Sequence, residues 1–400
     1  GYGWLVKKVI RFGALVGIMY VALLGLTGVQ FATTPSGYVP SQDKQYLVAF
    51  AQLPDAASLE RTEEVIKEMS NIALEQPGVI SSVAFPGLNI NGFTNSPNSG
   101  IVFTTLSDFK ERNDPSMSAD AIAAALNQKF AGIEDAFIAI FPPPPVQGLG
   151  TIGGFRLQIQ DRASHGYEEL YNVTMQVMQK AWATPELTGI FSSYQVNVPQ
   201  LDLDIDRTKA KQQNVSLDEI FQTLQAYMGS VYVNDFNQFG RTYQVNMQAD
   251  EQFRQSASQI SQLKVRNSDG EMVPLGSFIN VTDTAGPDRV MHYNGFTTAE
   301  INGGPAPGYS TGEAQAAIEK ILAETLPNGM TYEWTELTYQ QILAGNAGVF
   351  IYPLVIMLVF MVLAAQYESL SLPMAIILII PMTLLSALSG VLIYGGDNNI

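Results

Sequence analysis

Three strongly apolar runs of this 400-residue chain carry no Asp, Glu, Lys or Arg: Phe12 to Ala32, Ala347 to Ala365, and Leu370 to Gly395, the last interrupted by Pro373 and Pro381. No other feature constrains the fold as strongly, because inside a bilayer only a helix or a closed barrel satisfies its own backbone. The 21 residues of the first run would extend about 31 Å as a helix, enough to cross a hydrocarbon core. No small-residue cleavage pattern marks it as a signal peptide, and two further runs follow far downstream. Lys7, Lys8 and Arg11 stand just before the first run, so the positive-inside rule puts that end in the cytoplasm and the chain from Thr33 onward on the outer face. The second run returns the chain to the cytoplasm, Gln366 to Ser369 form a tight turn, and the third run leads out again. Tyr is the only ionisable residue type in these runs. Ion-coupled transport relies on charges within the membrane, so any energy-coupling groups are expected outside this chain.

Between Thr33 and Gly345 lies a block with 18 of the 21 basic and 35 of the 37 acidic residues, a net charge of −17. Such a surface argues against nucleic acid as a partner. It suits either cationic ligands or plain solubility. The absence of cysteine excludes disulfides, Cys-based zinc sites and thiol chemistry, and fits a bacterial periplasm.

Within the block, hydrophobic periodicity predicts strand Tyr46–Leu53, helix Ser58–Leu74 capped by Ser58, strands Val79–Phe85 and Gly100–Leu106, helix Ser118–Phe130 and strand Ala136–Phe141. This β-α-β-β-α-β order is that of a ferredoxin-like unit. A second unit begins with strand Phe155–Gln160, helix Tyr167–Ala183 and strands Ile190–Tyr194 and Gln200–Asp206. It is completed much later by a helix opened by the Ser310/Glu313 capping box and by strand Met330–Thr335. The intervening residues read as an inserted domain with a capped helix at Ser216 and a hairpin at Asp269-Gly270. The predicted class is therefore an α+β membrane protein. Its parts are a cytoplasmic end and first span (1–32), a first unit (33–141), a linker (142–154), a second unit (155–206 and 297–340), an insertion (207–296), and two further spans (346–366 and 370–395).

The linker runs from four prolines, Pro142 to Pro145, into Gly148, Gly150, Gly153 and Gly154. Four prolines remove four backbone donors and fix φ, so the segment reads as a stiff spacer ending in a hinge. Gly148 to Gly153 match GxGxxG, but a nucleotide site needs a strand directly before and a helix after; here polyproline precedes and a strand follows. His165 and His292 sit in no metal-spaced cluster, and Asp202, Asp204 and Asp206 alternate on one strand face, which reads as solvated. No nucleophile elbow, zincin or P-loop pattern occurs, so no enzyme, cofactor or metal is expected. The remaining signal is apolar. Phe85, Phe93, Phe103, Phe137, Phe141 and Phe155 stand at strand ends or in loops near the linker, and the Gly- and Asn-rich stretch Pro86–Ser99 carries Leu88, Ile90 and Phe93. Core packing accounts for most of them, while a mobile loop with such residues fits a hydrophobic gate.

The combination of FPPPPVQGLGTIGGF, YVNDFNQFGRTYQVNMQAD, GEMVPLGSF, HYNG, APGYSTGEA, YEWTELTYQQ and LAAQYESLSLP resembles the C-terminal half of the hydrophobe/amphiphile efflux transporters of the resistance-nodulation-cell division superfamily, of the MexF/OqxB type. The resemblance covers essentially the whole chain. It implies that the two units are porter subdomains, that the insertion belongs to a docking domain, and that the protein is an inner-membrane subunit of a proton-motive-force-driven pump for amphiphilic drugs. It further implies a homotrimer, a periplasmic adaptor and an outer-membrane channel. The stretch 86–99 matches the family's switch loop, with Leu88 and Ile90 where many members carry phenylalanine. The deep substrate pocket maps onto Phe103 and Phe141, with Ala139 replacing a phenylalanine and Val83 and Phe85 beside them; an outer pocket maps onto Gln195 and Asn197. Gly148 replaces an acidic residue of the linker loop, and Gly148, Gly150 and Gly153 form the hinge. The proton relay of that family is expected outside this chain. A membrane-anchored periplasmic binding or assembly module without transport is the alternative.

Overall fold

The computed structural model describes residues 2–150, 153–345 and 347–399. Helices α1 (Tyr2–Arg11) and α2 (Gly13–Thr33) lead to strand β1 (Tyr46–Gln52), helix α3 (Leu59–Leu74), strands β2 (Val79–Leu88) and β3 (Asn95–Leu106), helix α4 (Ala119–Phe130) and strand β4 (Phe137–Phe141). Ser58 caps α3 as the sequence predicts, accepting from the backbone N–H of Arg61, and Ser118 caps α4 in the same way, accepting from that of Ala121. The four strands form an antiparallel sheet in the order β2-β3-β1-β4. Val65, Ile66, Met69 and Ala73 recur along one stripe of α3, and with Leu126 and Phe130 of α4 they bury Leu47, Ala49 and Val102 on one sheet face.

The hairpin between β2 and β3 is longer than its sequence suggests. Leu88 pairs with Asn95, so the expected loop 86–99 shrinks to residues 89–94. Asn, Ser and Pro have little intrinsic strand preference, which hides this extension. Here their side chains close the local backbone instead, Asn89 Oδ1 accepting from Asn91 N at 2.8 Å. Ile90 at the tip is 2% exposed and belongs to the core rather than to a mobile loop.

Strand β5 (Phe155–Asp161), helix α5 (Tyr167–Trp182) and strand β6 (Leu187–Phe191) follow. The chain then builds a separate compact unit, Gln195–Asp288. It contains β7 (Val198–Ile205), α6 (Arg207–Gln212), α7 (Leu217–Leu224), the exposed hairpin β8 (Val231–Gln238) and β9 (Arg241–Met247), α8 (Ala257–Gln262), the hairpin β10 (Lys264–Arg266) and β11 (Met272–Pro274) around the predicted Asp269-Gly270 turn, and β12 (Ile279–Gly286). Strands β13 (Met291–Tyr293) and β14 (Phe296–Pro305), helix α9 (Thr311–Thr325) and strand β15 (Met330–Thr335) return to the first body. In its second sheet β14 lies between β5 and β6, and β15 borders β5 on the other side, all antiparallel. This corrects the expectation that Gln200–Asp206 supplies the third strand. That segment, within β7, pairs with β12, because Leu203 and Ile205 pack into the separate unit's own core with Val281 and Phe278. The missing strand is β14, whose Ala299 and Ile301 are fully buried.

Helix α10 (Glu336–Ala344) leads to α11 (Ala347–Tyr367), α12 (Ser371–Ile377) and α13 (Ile380–Ile393). Among the described residues, three segments are long and apolar enough to cross a membrane: Gly13–Thr33, Phe350–Tyr367 and Ser371–Ile393. The third is broken ahead of Pro381, which lacks the N–H that would continue the ladder. Tyr20 of α2 donates to the Leu378 carbonyl at this break, 2.6 Å away, the kind of repair a polar group inside hydrocarbon requires.

Candidate functional site

The face of the first sheet turned away from α3 and α4 is apolar in register. One cross-strand row runs Val83, Phe103, Val48, Phe141, and the next Phe85, Ile101, Phe50, Ala139. Five of the residues expected to meet a substrate, Val83, Phe85, Phe103, Ala139 and Phe141, are thus brought onto one surface by strand alternation. Its two halves differ. On β2, Val83 and Phe85 are 50% and 42% exposed, and the Phe85 ring meets that of Phe103 edge-on at 5.8 Å. Toward β4 the face is covered: Val48, Phe50, Ile101 and Ala139 are buried with Ile90 and Phe191, and Leu88 packs against them. Phe191, from the end of β6, lies 4.2 Å from Phe50 and 5.9 Å from Phe141 between ring centroids. Gly189 makes room for this arrangement. Its φ of +62° disfavours a side chain, and a Cβ there would stand 2.8 Å from the Phe141 ring.

Beneath the linker lies a cavity of about 510 Å³ lined by Phe141, Pro142, Pro143, Pro145, Gly153 and Gly154, with Tyr309 and Asp397 on its wall. The linker closes on itself through Gly153 N, which donates to Pro142 O at 2.9 Å. Gly154 has φ +109°, and a Cβ there would come within 2.2 Å of the Gly303 carbonyl. Gly148 has φ +87° in open space, Gly150 has φ +131°, and the Thr151 and Ile152 positions of GxGxxG lie outside the described residues. Burial together with the nearby Glu313 charge pushes the Asp397 carboxyl above its ordinary pKa.

Other candidates scatter. Phe155 belongs to the second sheet, where its ring meets that of Trp334 edge-on at 5.7 Å. Phe93 is exposed at a left-handed φ of +51°, and Phe137 lies 5.9 Å from Phe50 at the rim. Gln195 and Asn197 belong to the separate unit, where the Gln195 carbonyl accepts from Asp288 N. His165 bonds Asp161 at 2.9 Å, and Asp206 caps α6 by accepting from Lys209 N. Among the described residues no cluster of three or more metal-ligating side chains occurs.

Two aromatic residues central to the face, Phe50 and Phe191, are not among the sequence candidates. Phe50 sits in a strand apolar on both sides, where alternation gives no hint of which side is special. Phe191 ends a strand of a different sheet, so only tertiary structure joins it to Phe50.

The geometry thus defines an α+β protein with two antiparallel sheets, one presenting a half-covered apolar face, and with three segments long and apolar enough to cross a membrane among its described residues. The chain belongs to the AcrB/AcrD/AcrF family, whose description it matches over residues 1–400. It is 35% identical over 373 residues to the solvent-resistant pump membrane transporter SrpB of Pseudomonas putida, covering 92% of this chain and 35% of that protein. It is also 34% identical over 402 residues to the multidrug/solvent efflux pump membrane transporter MepB of Pseudomonas putida (100% of this chain, 37% of that protein), and 32% identical over 386 residues to the multidrug export protein AcrF of Escherichia coli K12 (96% and 37%). The chain therefore spans just over a third of the length of these relatives.

Proposed function

We propose that this chain is the porter-bearing part of an inner-membrane subunit of a proton-motive-force-driven tripartite efflux pump that exports amphiphilic drugs by drug/proton antiport. The observation that carries the reading is the apolar sheet face, open at Val83 and Phe85 and covered at Phe50 and Ala139. A partly solvated apolar surface of this kind takes amphiphiles without demanding a particular hydrogen-bond pattern. The pump, efflux and export roles that SrpB, MepB and AcrF are named for support it.

In this reading the two sheets, whose strand orders β2-β3-β1-β4 and β6-β14-β5-β15 correspond, are ferredoxin-like porter subdomains of the periplasmic block. The unit Gln195–Asp288 is a docking domain toward an outer-membrane channel. Val83, Phe85, Leu88, Ile90, Phe103, Ala139 and Phe141 contact substrate, Gln195 and Asn197 contribute an outer pocket, and Gly148, Gly150 and Gly153 let the linker adjust. The protein works as a homotrimer with a periplasmic adaptor, and the proton relay lies outside residues 1–400.

The test is drug susceptibility of a pump-deficient host carrying the natural gene with Phe85→Ala or Phe103→Ala. Export of some amphiphiles falls relative to others at equal protein level. Identical susceptibility to every compound tested would remove the apolar face from the transport path.

A further inference from the structure

The roof over the covered half of the apolar face comes from two segments, the β2–β3 hairpin tip with Ile90 and the end of β6 with Phe191. Immediately beside both roof residues lies a buried polar cluster. Asn91 follows Ile90, Ser193 stands two residues after Phe191, and both bond Glu300 of β14, which is 3% exposed. One oxygen of the Glu300 carboxyl group, Oε1, accepts from Asn91 Nδ2 at 2.9 Å, from Ser193 N at 2.9 Å, and from the Ser193 hydroxyl. Asn91 Nδ2 also donates to Ser193 Oγ at 2.9 Å, and Arg289 Nη2 donates to the same Oγ at 2.6 Å. The Asn89 side-chain amide, whose Oδ1 holds the tip in shape, belongs to the same polar chain, since Asn89 Nδ2 donates to Ser99 Oγ and Ser99 Oγ to Gln52 Oε1.

We infer that Glu300 is a positioning residue that clips the hairpin tip to the end of β6 and so keeps Ile90 and Phe191 seated over Phe50. Removal of the acceptor leaves buried donors on both segments without their partner, a cost that falls on the closed arrangement and vanishes when the tip lifts and water enters. Glu300 accepts from the two roof segments, with Arg289 as a further donor to Ser193, and not from α3 or α4, so loss of the clip opens the apolar face and leaves the helix-side core intact. The face opened in this way is the surface assigned to amphiphiles above, and the significance of the clip for export rests on that reading.

The experiment uses the natural full-length protein in membranes, with one added cysteine as a reporter. Ile101→Cys places a thiol on the fully buried part of the apolar face, and Ile66→Cys places one in the core between that sheet and α3. With Glu300→Ala, maleimide labelling of the Ile101 reporter accelerates at least about tenfold, because three hydrogen bonds to Oε1 are lost and a single bond to a carboxylate already accounts for about that factor. Glu300→Gln, which keeps an acceptor oxygen, restores most of the slow rate, and the Ile66 reporter does not respond to either change. An Ile101 reporter that labels no faster in Glu300→Ala, or an Ile66 reporter that accelerates equally, overturns the clip. Protection of the opened Ile101 reporter by a fluorescent amphiphile separately tests the transport reading. Acceleration without protection keeps the clip and removes the amphiphile.

Discussion

The rings of Phe50 and Phe191, from different sheets, lie 4.2 Å apart at an angle of 33°, and each residue is 3% exposed. The contact closes half of an apolar surface whose other half is open. It makes β6 of the second sheet part of the roof over the first.

Phe191→Ala therefore removes both core volume and the roof. A buried Phe→Ala change costs about 3 kcal/mol or more, whereas Phe191→Leu, closer in volume, costs about 1.5 kcal/mol or less. Thermal melting of the solubilised protein reads the difference. Equal melting temperatures for the two variants contradict the packing described.

Arg112, almost fully buried, holds the strap before β1 through a two-pronged pair with Asp43, Nη1 to Oδ2 at 2.8 Å and Nη2 to Oδ1 at 3.1 Å. Burial acts to raise the Asp43 pKa, but the Arg112 hydrogen bonds and charge and the N–H groups of Gln45 and Ala119 outweigh it, and the net shift is downward from 3.8. A carboxyl depressed in the folded state contributes stability above its unfolded value and loses it as pH falls through the folded one. Asp43→Asn should lower stability at pH 7 and flatten the loss of stability below about pH 4. A variant with the same acid-denaturation midpoint as wild type excludes this role.

Asp397 carries the opposite sign. Burial and Glu313 raise its folded pKa, so the ionised form is penalised and stability declines as pH rises from the unfolded value of 3.8 through the folded one. Asp397→Asn removes the penalty and should raise the melting temperature at pH 7 more than at pH 4. A variant equally affected at both values goes against the account.

The linker predictions separate two closely packed glycines from a third in open space. Gly153→Pro deletes the N–H that bonds Pro142 O, and Gly154→Ala drives a Cβ into the Gly303 carbonyl, so both should lower export at equal expression. Gly148→Ala meets open space and bears only the strain of its positive φ, about 1 kcal/mol, with export near wild type. The three are ranked by transport rate per molecule. If Gly148→Ala proves the most damaging, the local geometry does not set linker behaviour.

Much of this architecture is legible in sequence because local signals coincide with it. Ser58, Ser118 and the Ser310/Glu313 box mark helix starts where they occur, and the membrane runs stand out by composition alone. The identity of the third strand in the second sheet is not legible. β7 and β14 both alternate acceptably, and the choice depends on which core receives Leu203 and Ile205. The substrate-face candidates Val83, Phe85, Phe103, Ala139 and Phe141 share one face because strand alternation fixes it. Phe191, Asn91, Ser193 and Glu300 escape notice because they meet only after distant segments pack, and a lone Asn, Ser or Glu carries no pattern.

The central claim, that amphiphiles bind the apolar face of the first sheet, is tested most directly by photo-crosslinking. The natural full-length protein in membranes would be irradiated with an azide-bearing amphiphile and its adducts mapped by mass spectrometry. The account predicts adducts on the peptides holding Val83, Phe85 and Phe103, with loss of labelling in Phe85→Ala or Phe103→Ala. Adducts confined to other parts of the protein, unchanged by either substitution, would contradict it.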